Sequence, residues 1–147
     1  MPTPSIPLRP LLLDTHAWIW ALEGNTREMG PAAQDAVAEA GAVGRVLVSV
    51  ISCWEVGMLE ARGRIRFTIE VGEWVRRGLQ APGVTLAPLS PDIALDSSRL
   101  PGTVHGDPAD RILIATARRI GATLVTRDRQ ILEYAREGHL SVLDAEV

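Results

Sequence analysis

Short apolar runs alternate along this chain with longer stretches in which apolar residues recur every three or four positions. The runs have strand length and the longer stretches have helical period. Leu11-Leu-Leu-Asp14 predicts a short buried strand ending on an acid, and Thr15-His-Ala-Trp-Ile-Trp-Ala-Leu22 predicts a helix closed by Gly24-Asn-Thr. Residues 31–40 are alanine-rich and helical. Arg45-Val-Leu-Val-Ser-Val-Ile51, rich in β-branched residues, predicts the second strand. Ser52-Cys-Trp-Glu55 then opens a helix to about Arg62, and Gly63 breaks it. Arg64-Ile-Arg-Phe-Thr-Ile69 reads as extended and residues 71–79 as a helix. Val84-Thr-Leu-Ala-Pro-Leu89 is a third strand, whose end Pro88 marks. Residues 91–99 form a helix before the turn Leu100-Pro-Gly-Thr.

The stretch from His105 to Asp128 organises the rest. Asp107 before Pro108 has the pattern of a helix N-cap with proline at the first helical position, where its missing N–H costs nothing. Asp110 falls in the first turn, on the face that carries Leu113, Ala117 and Ile120, so its carboxylate ends a stripe turned toward a sheet. Gly121 stops the helix. Ala122-Thr-Leu-Val125 is a strand-length run, with Thr126-Arg-Asp128 at its C-terminal end. Residues 129–137 form one more helix, Gly138 stops it, and Leu140-Ser-Val-Leu143 is a last strand. Strands alternating with helices predict an α/β fold: a mostly parallel sheet of four to five strands, covered on both faces as a three-layer α/β/α sandwich. Right-handed crossovers put every strand-to-helix junction on one edge, the edge where open α/β sheets hold their sites.

Length and composition narrow the picture. The 147 residues fit a single domain over 11–147, preceded by an extended leader, 1–10, too rich in proline and too poor in apolar residues for a signal peptide. A formal charge of −3 excludes a protein that holds nucleic acid by bulk electrostatics and leaves local patches open. All 15 basic residues are arginine. That suits bidentate phosphate contacts, and it equally fits a coding bias toward arginine. The lone Cys53 excludes an intramolecular disulfide and fits a reducing cytosol, and with no stretch of transmembrane length the expectation is a cytoplasmic protein that makes no membrane contact.

Four acids carry the chemistry. Each has a private explanation: Asp14 as a helix-capping aspartate, Glu55 as the closing residue of the capping box Ser52-x-x-Glu55, Asp110 as an acid in a first turn, Asp128 as an acid just past a strand's end. His16 likewise reads as a surface or packing histidine. Those explanations do not predict that Asp14, Glu55, Asp110 and Asp128 all fall along one rim. Gathered carboxylates repel one another and must protonate or splay apart unless a divalent cation offsets the charge. Oxygen donors without a histidine–cysteine set point to Mg²⁺ or Mn²⁺ rather than zinc. Such a site is suited to phosphodiester hydrolysis, with the metal activating a water and neutralising the phosphate in an in-line displacement.

In these residues the chain resembles the PIN-domain ribonucleases, and among them the VapC toxins of type II toxin–antitoxin pairs. Four stretches carry the likeness in order and spacing: Leu12-Leu-Asp-Thr-His-Ala-Trp-Ile-Trp20, Ser52-Cys-Trp-Glu-Val56, His105-Gly-Asp-Pro-Ala-Asp-Arg-Ile-Leu-Ile-Ala-Thr-Ala117 and Leu124-Val-Thr-Arg-Asp128. The resemblance implies a Mg²⁺-dependent endoribonuclease in which Asp14, Glu55 and Asp110 surround the metal. Asp128 is then the fourth acid, direct or through water, and Thr126 orients the site by hydrogen bonding. Asp107 is read first as the helix cap. Cleavage would leave a 5′-phosphate and a 3′-hydroxyl on an RNA that the residues do not identify. The resemblance also implies a homodimer and a small antitoxin partner seated in a groove, for which Trp18, Trp20, Trp54 and Trp74 are candidates, at least two of them expected in the core. Relatives with the tryptophan–glutamate motif often carry lysine four residues after the glutamate; here that place is Leu59, so Arg62 or Arg111 would have to stand in. For RNA backbone contacts the candidates are Arg64, Arg66, Arg76, Arg77, Arg111 and Arg129. Two other readings fit an acid-rimmed α/β domain: a PIN fold serving only as a protein-interaction domain, and a Mg²⁺-binding receiver module. The second requires a lysine near the last strand, and the chain has none.

Overall fold

The computed structural model describes residues 9–104 and 106–147, so most of the expected leader and His105 lie outside the described residues. Five strands, β1 (Leu11–Leu13), β2 (Val46–Ser49), β3 (Val84–Ala87), β4 (Thr123–Thr126) and β5 (Val142–Asp144), pair in the order β3-β2-β1-β4-β5. Every pairing is parallel, with Leu12 of β1 flanked by Leu47 of β2 and Leu124 of β4. Between the strands run α1 (Thr15–Glu23), α2 (Pro31–Ala42), α3 (Val50–Ala61), α4 (Val71–Gln80), α5 (Pro91–Ser97), α6 (Pro108–Ile120) and α7 (Arg129–Ala135).

The period of two along β1 sorts its side chains into two cores. Leu11 and Leu13 enter one face with Ala17 and Trp18 of α1, Ala33 and Ala40 of α2, Val56 of α3 and Trp74 of α4. Leu12 enters the other with Leu113, Ile114 and Ala117 of α6 and Ile131 and Tyr134 of α7. A central parallel strand covered on both sides explains why residues 11–13 are all apolar rather than alternating. Truncating fully buried Leu12 to alanine is expected to cost about 2–5 kcal/mol. Between α3 and α4, Ile65, Phe67 and Ile69 turn into the first core while Arg64 and Arg66 stay exposed, an extended segment that pairs with no strand.

Three sequence expectations shift. The second strand ends at Ser49 rather than Ile51, because Ser49 turns its hydroxyl to the N–H of Ile51 and caps α3. Val50 and Ile51 therefore open the helix. The stripe on α6 ends at Ala117, since Ile120 is 40% exposed beside the left-handed Gly121 that terminates the helix.

Candidate metal and active site

The sheet order reverses beside β1: the chain moves outward through β2 and β3, then returns to lay β4 and β5 on the other side. A crevice forms at the C-terminal ends of the two strands flanking such a switch. Asp14 immediately follows β1, and Asp128 lies two residues past β4. The crevice is a cavity of about 410 Å³ lined by Asp14, Thr15, His16, Trp20, Glu55, Asp107, Asp110, Leu113, Arg127 and Asp128. The four acids singled out from the sequence thus meet in one place, joined by Asp107.

Local structure fixes each of them. Asp14 caps α1, its Oδ1 accepting from the N–H of Ala17 at 2.7 Å. Asp107 caps α6 by accepting from the N–H of Asp110 at 3.2 Å, as its place before Pro108 predicts. Asp128 caps α7, accepting at Oδ1 from the N–H groups of Gln130 and Ile131 at 2.8 and 3.1 Å. Fully buried Thr126 ties two of these together: its hydroxyl accepts from the N–H of Asp128 at 3.0 Å and hydrogen-bonds the Asp14 side chain.

Glu55 does not close a capping box. Ser52 is buried inside α3, which Ser49 caps, so Glu55 sits in the second turn and reaches away from its own helix terminus. Its Oε1 accepts from the Thr15 hydroxyl at 2.5 Å, and Thr15 is 2.9 Å from the Ser52 hydroxyl. A hydroxyl carries one proton, so the set is satisfied when Ser52 donates to Thr15 and Thr15 to Glu55. This relay holds α3 against α1 and aims the carboxylate into the cavity.

Electrostatics set the site apart. Burial pushes the Asp14 carboxyl above its ordinary 3.8; the bonds from Thr126 and Ala17 and the nearby His16 pull the other way, and Glu55 adds to the rise. Burial likewise raises Glu55 above 4.5, with the Thr15 bond and His16 opposing and the charge of Asp107 reinforcing. Among the described residues no arginine is within ion-pair distance of Asp14 or Glu55. Nor do any three histidine, cysteine, aspartate or glutamate side chains among them form a ready-made metal cage. The donor chemistry nevertheless fits a hard divalent cation. Mg²⁺ takes oxygen donors, keeps several waters and commonly binds through one or two carboxylates, which an open acid-lined cavity can supply.

The other candidates divide. Of the arginines proposed for RNA, none lines this cavity. Arg76 and Arg77 pair with Glu73 on α4, Arg129 pairs with Glu146 at 2.6 Å, and Arg111 donates to the carbonyl of Ser97 at 2.9 Å. Arg62, at the end of α3, is exposed and also away from the cavity. Trp18 and Trp74 are core residues, packed edge to face at 5.0 Å. Trp54 is 58% exposed. Trp20 lines both the acid cavity and a neighbouring apolar one of about 250 Å³ with Ala21, Met29 and Val37. Sequence reasoning missed His16 and Arg127 as cavity residues. His16 had a usable signal, standing two residues after Asp14 in the first turn of α1; Arg127 lay inside a motif read only for its acids.

Residues 11–137 match the PIN domain family. The chain is 35% identical over 122 residues to ribonuclease VapC22 of Mycobacterium tuberculosis, covering 82% of this chain and 88% of that protein. Its fold is similar to a crystal structure of VapBC2 from Rickettsia felis bound to a promoter DNA fragment, with a TM-score of 0.64 at 16% identity over 90% of this chain and 96% of that one. It is also similar to a toxin–antitoxin complex from Klebsiella pneumoniae, with a TM-score of 0.61 at 22% identity over 93% and 99%.

Proposed function

The chain belongs to the PIN-domain family as a VapC-type ribonuclease of a toxin–antitoxin system, and we propose that it hydrolyses RNA phosphodiesters at the acid cavity with Mg²⁺ or Mn²⁺. The observation that supports this most is the convergence of Asp14, Glu55, Asp110 and Asp128, from four separate parts of the chain, on one cavity in which, among the described residues, no arginine stands within ion-pair distance of Asp14 or Glu55. Asp14, Glu55 and Asp110 would hold the cation, with Asp128 assisting directly or through water. When bound, the ion supplies charge neutralisation at the phosphate and activation of the attacking water.

The chain's own residues set up that chemistry. Thr126 keeps Asp14 and Asp128 in register, and Thr15 keeps Glu55 extended into the cavity. Burial makes the charged form of Asp14 costly, and a cation bound beside it would offset that cost. Asp107 and Asp110 stand at the N-terminal end of α6, Asp107 as its cap and Asp110 in its first turn. Products with 5′-phosphate and 3′-hydroxyl ends follow from water attack on phosphorus with loss of the 3′-oxygen.

An antitoxin is the partner this reading calls for, and the apolar cavity against Trp20 adjoins the acids closely enough for one peptide to cover both. We further propose a homodimer acting in the cytoplasm; no described helix is long and apolar enough to cross a membrane. The test is incubation of the purified protein with total RNA. Cleavage is expected with Mg²⁺ or Mn²⁺, none with EDTA, and none with Asp110→Asn; cleavage that survives both changes would place the chemistry elsewhere, and no cleavage at all would favour an interaction domain.

A further inference from the structure

Resting on the nuclease reading above, we propose that Arg127 is the phosphate-binding residue of the acid cavity, with Glu28 occupying one edge of its guanidinium in competition with substrate and the other edge presented to substrate. A phosphodiester entering this cavity meets Asp14, Glu55, Asp107, Asp110 and Asp128. A single divalent ion offsets only part of that charge, so a cation that never deprotonates is needed beside it. Arg127 is the only arginine or lysine among the described residues that line the cavity.

Its mounting suits the task. The residue lies between Thr126, whose hydroxyl is engaged with Asp14 and with the backbone of Asp128, and Asp128, which caps α7, so its backbone is fixed relative to the acids. Its Nη1 donates twice, to Glu28 Oε2 at 2.6 Å and to the Glu28 carbonyl at 3.2 Å. Nη2 stands 3.9 Å from Glu146 Oε1, an ion pair beyond hydrogen-bond reach. The edge formed by Nε and Nη2 therefore makes no hydrogen bond to any described residue. Those two parallel N–H groups are the fork that grips a phosphate bidentately. The guanidinium carbon lies over the Trp20 ring at 5.7 Å, a cation–π contact that supports the plane of the fork from one side.

The competing explanation is a structural clasp tying Glu28 and Glu146 to the cavity rim. The two make opposite demands on Glu28. In a clasp, losing Glu28 harms the protein as losing Arg127 does; in a phosphate grip, losing Glu28 releases the guanidinium to substrate.

The test measures binding of a fluorescein-labelled, random-sequence single-stranded oligoribonucleotide to full-length Asp110→Asn protein in Mg²⁺ across a NaCl series, with folding checked by thermal melting. Arg127→Ala is expected to weaken binding about tenfold and to flatten the plot of log Kd against log salt by about 0.7, the share of one phosphate on a single strand. Arg127→Lys should keep the slope and lose part of the affinity, and Glu28→Gln should tighten binding. In the cleaving background, Arg127→Ala should slow total-RNA cleavage. An unchanged Kd and slope in Arg127→Ala, equal cleavage rates, or Glu28→Gln and Arg127→Ala weakening binding alike would overturn the proposal while leaving the nuclease reading intact. Failure of the wild type to cleave total RNA with Mg²⁺ or Mn²⁺ would instead overturn that reading, and this proposal with it.

Discussion

At its C-terminal end α6 presents Arg118 and Arg119, and the acids there are matched: Arg119 Nε donates to Asp96 Oδ2 at 2.7 Å and its Nη1 lies 4.0 Å from Asp92. About 20 Å away along the helix, Asp107 and Asp110 of its N-terminal end share a cavity with Asp14, Glu55 and Asp128. The carboxyl groups respond in opposite directions. The Arg119 hydrogen bond holds Asp96 below its ordinary 3.8, whereas burial drives Asp14 and Glu55 upward. Both ends obey the helix dipole, with acids at the N-terminus and arginines at the C-terminus. They differ in that Asp96 at one end is paired with an arginine, whereas Asp14 and Glu55 in the cavity at the other have no arginine within ion-pair distance among the described residues. With 15 arginines in the chain, that imbalance is no shortage of cations.

Changes at the acid end should be large. Asp110→Asn is expected to lower RNA cleavage by about a hundredfold or more, the scale seen when a group stabilising the transition state is lost, with the fold intact by circular dichroism. Wild-type activity in that variant would remove the distinction between the two ends.

Metal comes next. Mg²⁺ at about a hundred times its Kd should raise the melting temperature by about 5–10 °C, by linkage to binding. The rise should vanish in Asp14→Asn. An equal rise in both proteins would mean the ion binds elsewhere.

The pH response separates the ends by sign. Asp14 has a raised folded value, so stability is full below its ordinary 3.8 and declines as pH climbs through the folded value. Asparagine can still cap α1 but carries no charge to bury. In EDTA, Asp14→Asn should therefore melt higher than the wild type at pH 7, with the gap closing toward pH 3. Asp96 has a lowered folded value, so its contribution is present at neutral pH and lost as pH falls through that value. Asp96→Asn should show the smallest effect of the set, a slight loss of melting temperature at pH 7 and unchanged cleavage, because the pair is exposed. A large loss of activity there would show that the neutral end takes part in the chemistry.

What the sequence revealed and concealed follows the range of the interactions. Asp14 after Leu13, Asp107 before Pro108 and Gly121 after Ile120 announce themselves because caps and stops depend on neighbours a few residues away. The Glu73–Arg76 and Glu73–Arg77 pairs, three and four residues apart on α4, are just as local, yet from the sequence both arginines read as candidates for RNA; their pairing in the structure argues against them as free RNA contacts. Ser52-x-x-Glu55 misled because its spacing matches a capping box, while the contact that claims both residues comes from Thr15, 37 and 40 positions earlier. The end of β2 was concealed by Val48-Ser-Val-Ile51, whose composition suits a strand throughout. Arg127 was hidden because its anchor, Glu28, is 99 residues away.

Manganese binding followed by water-proton relaxation addresses the central claim without needing to know the RNA. The wild type should show saturable Mn²⁺ binding that Mg²⁺ displaces and that Asp14→Asn and Asp110→Asn each weaken strongly, with Asp96→Asn indistinguishable from wild type. No binding at millimolar Mn²⁺, or binding indifferent to both cavity substitutions, would contradict a carboxylate cavity built to take a divalent ion.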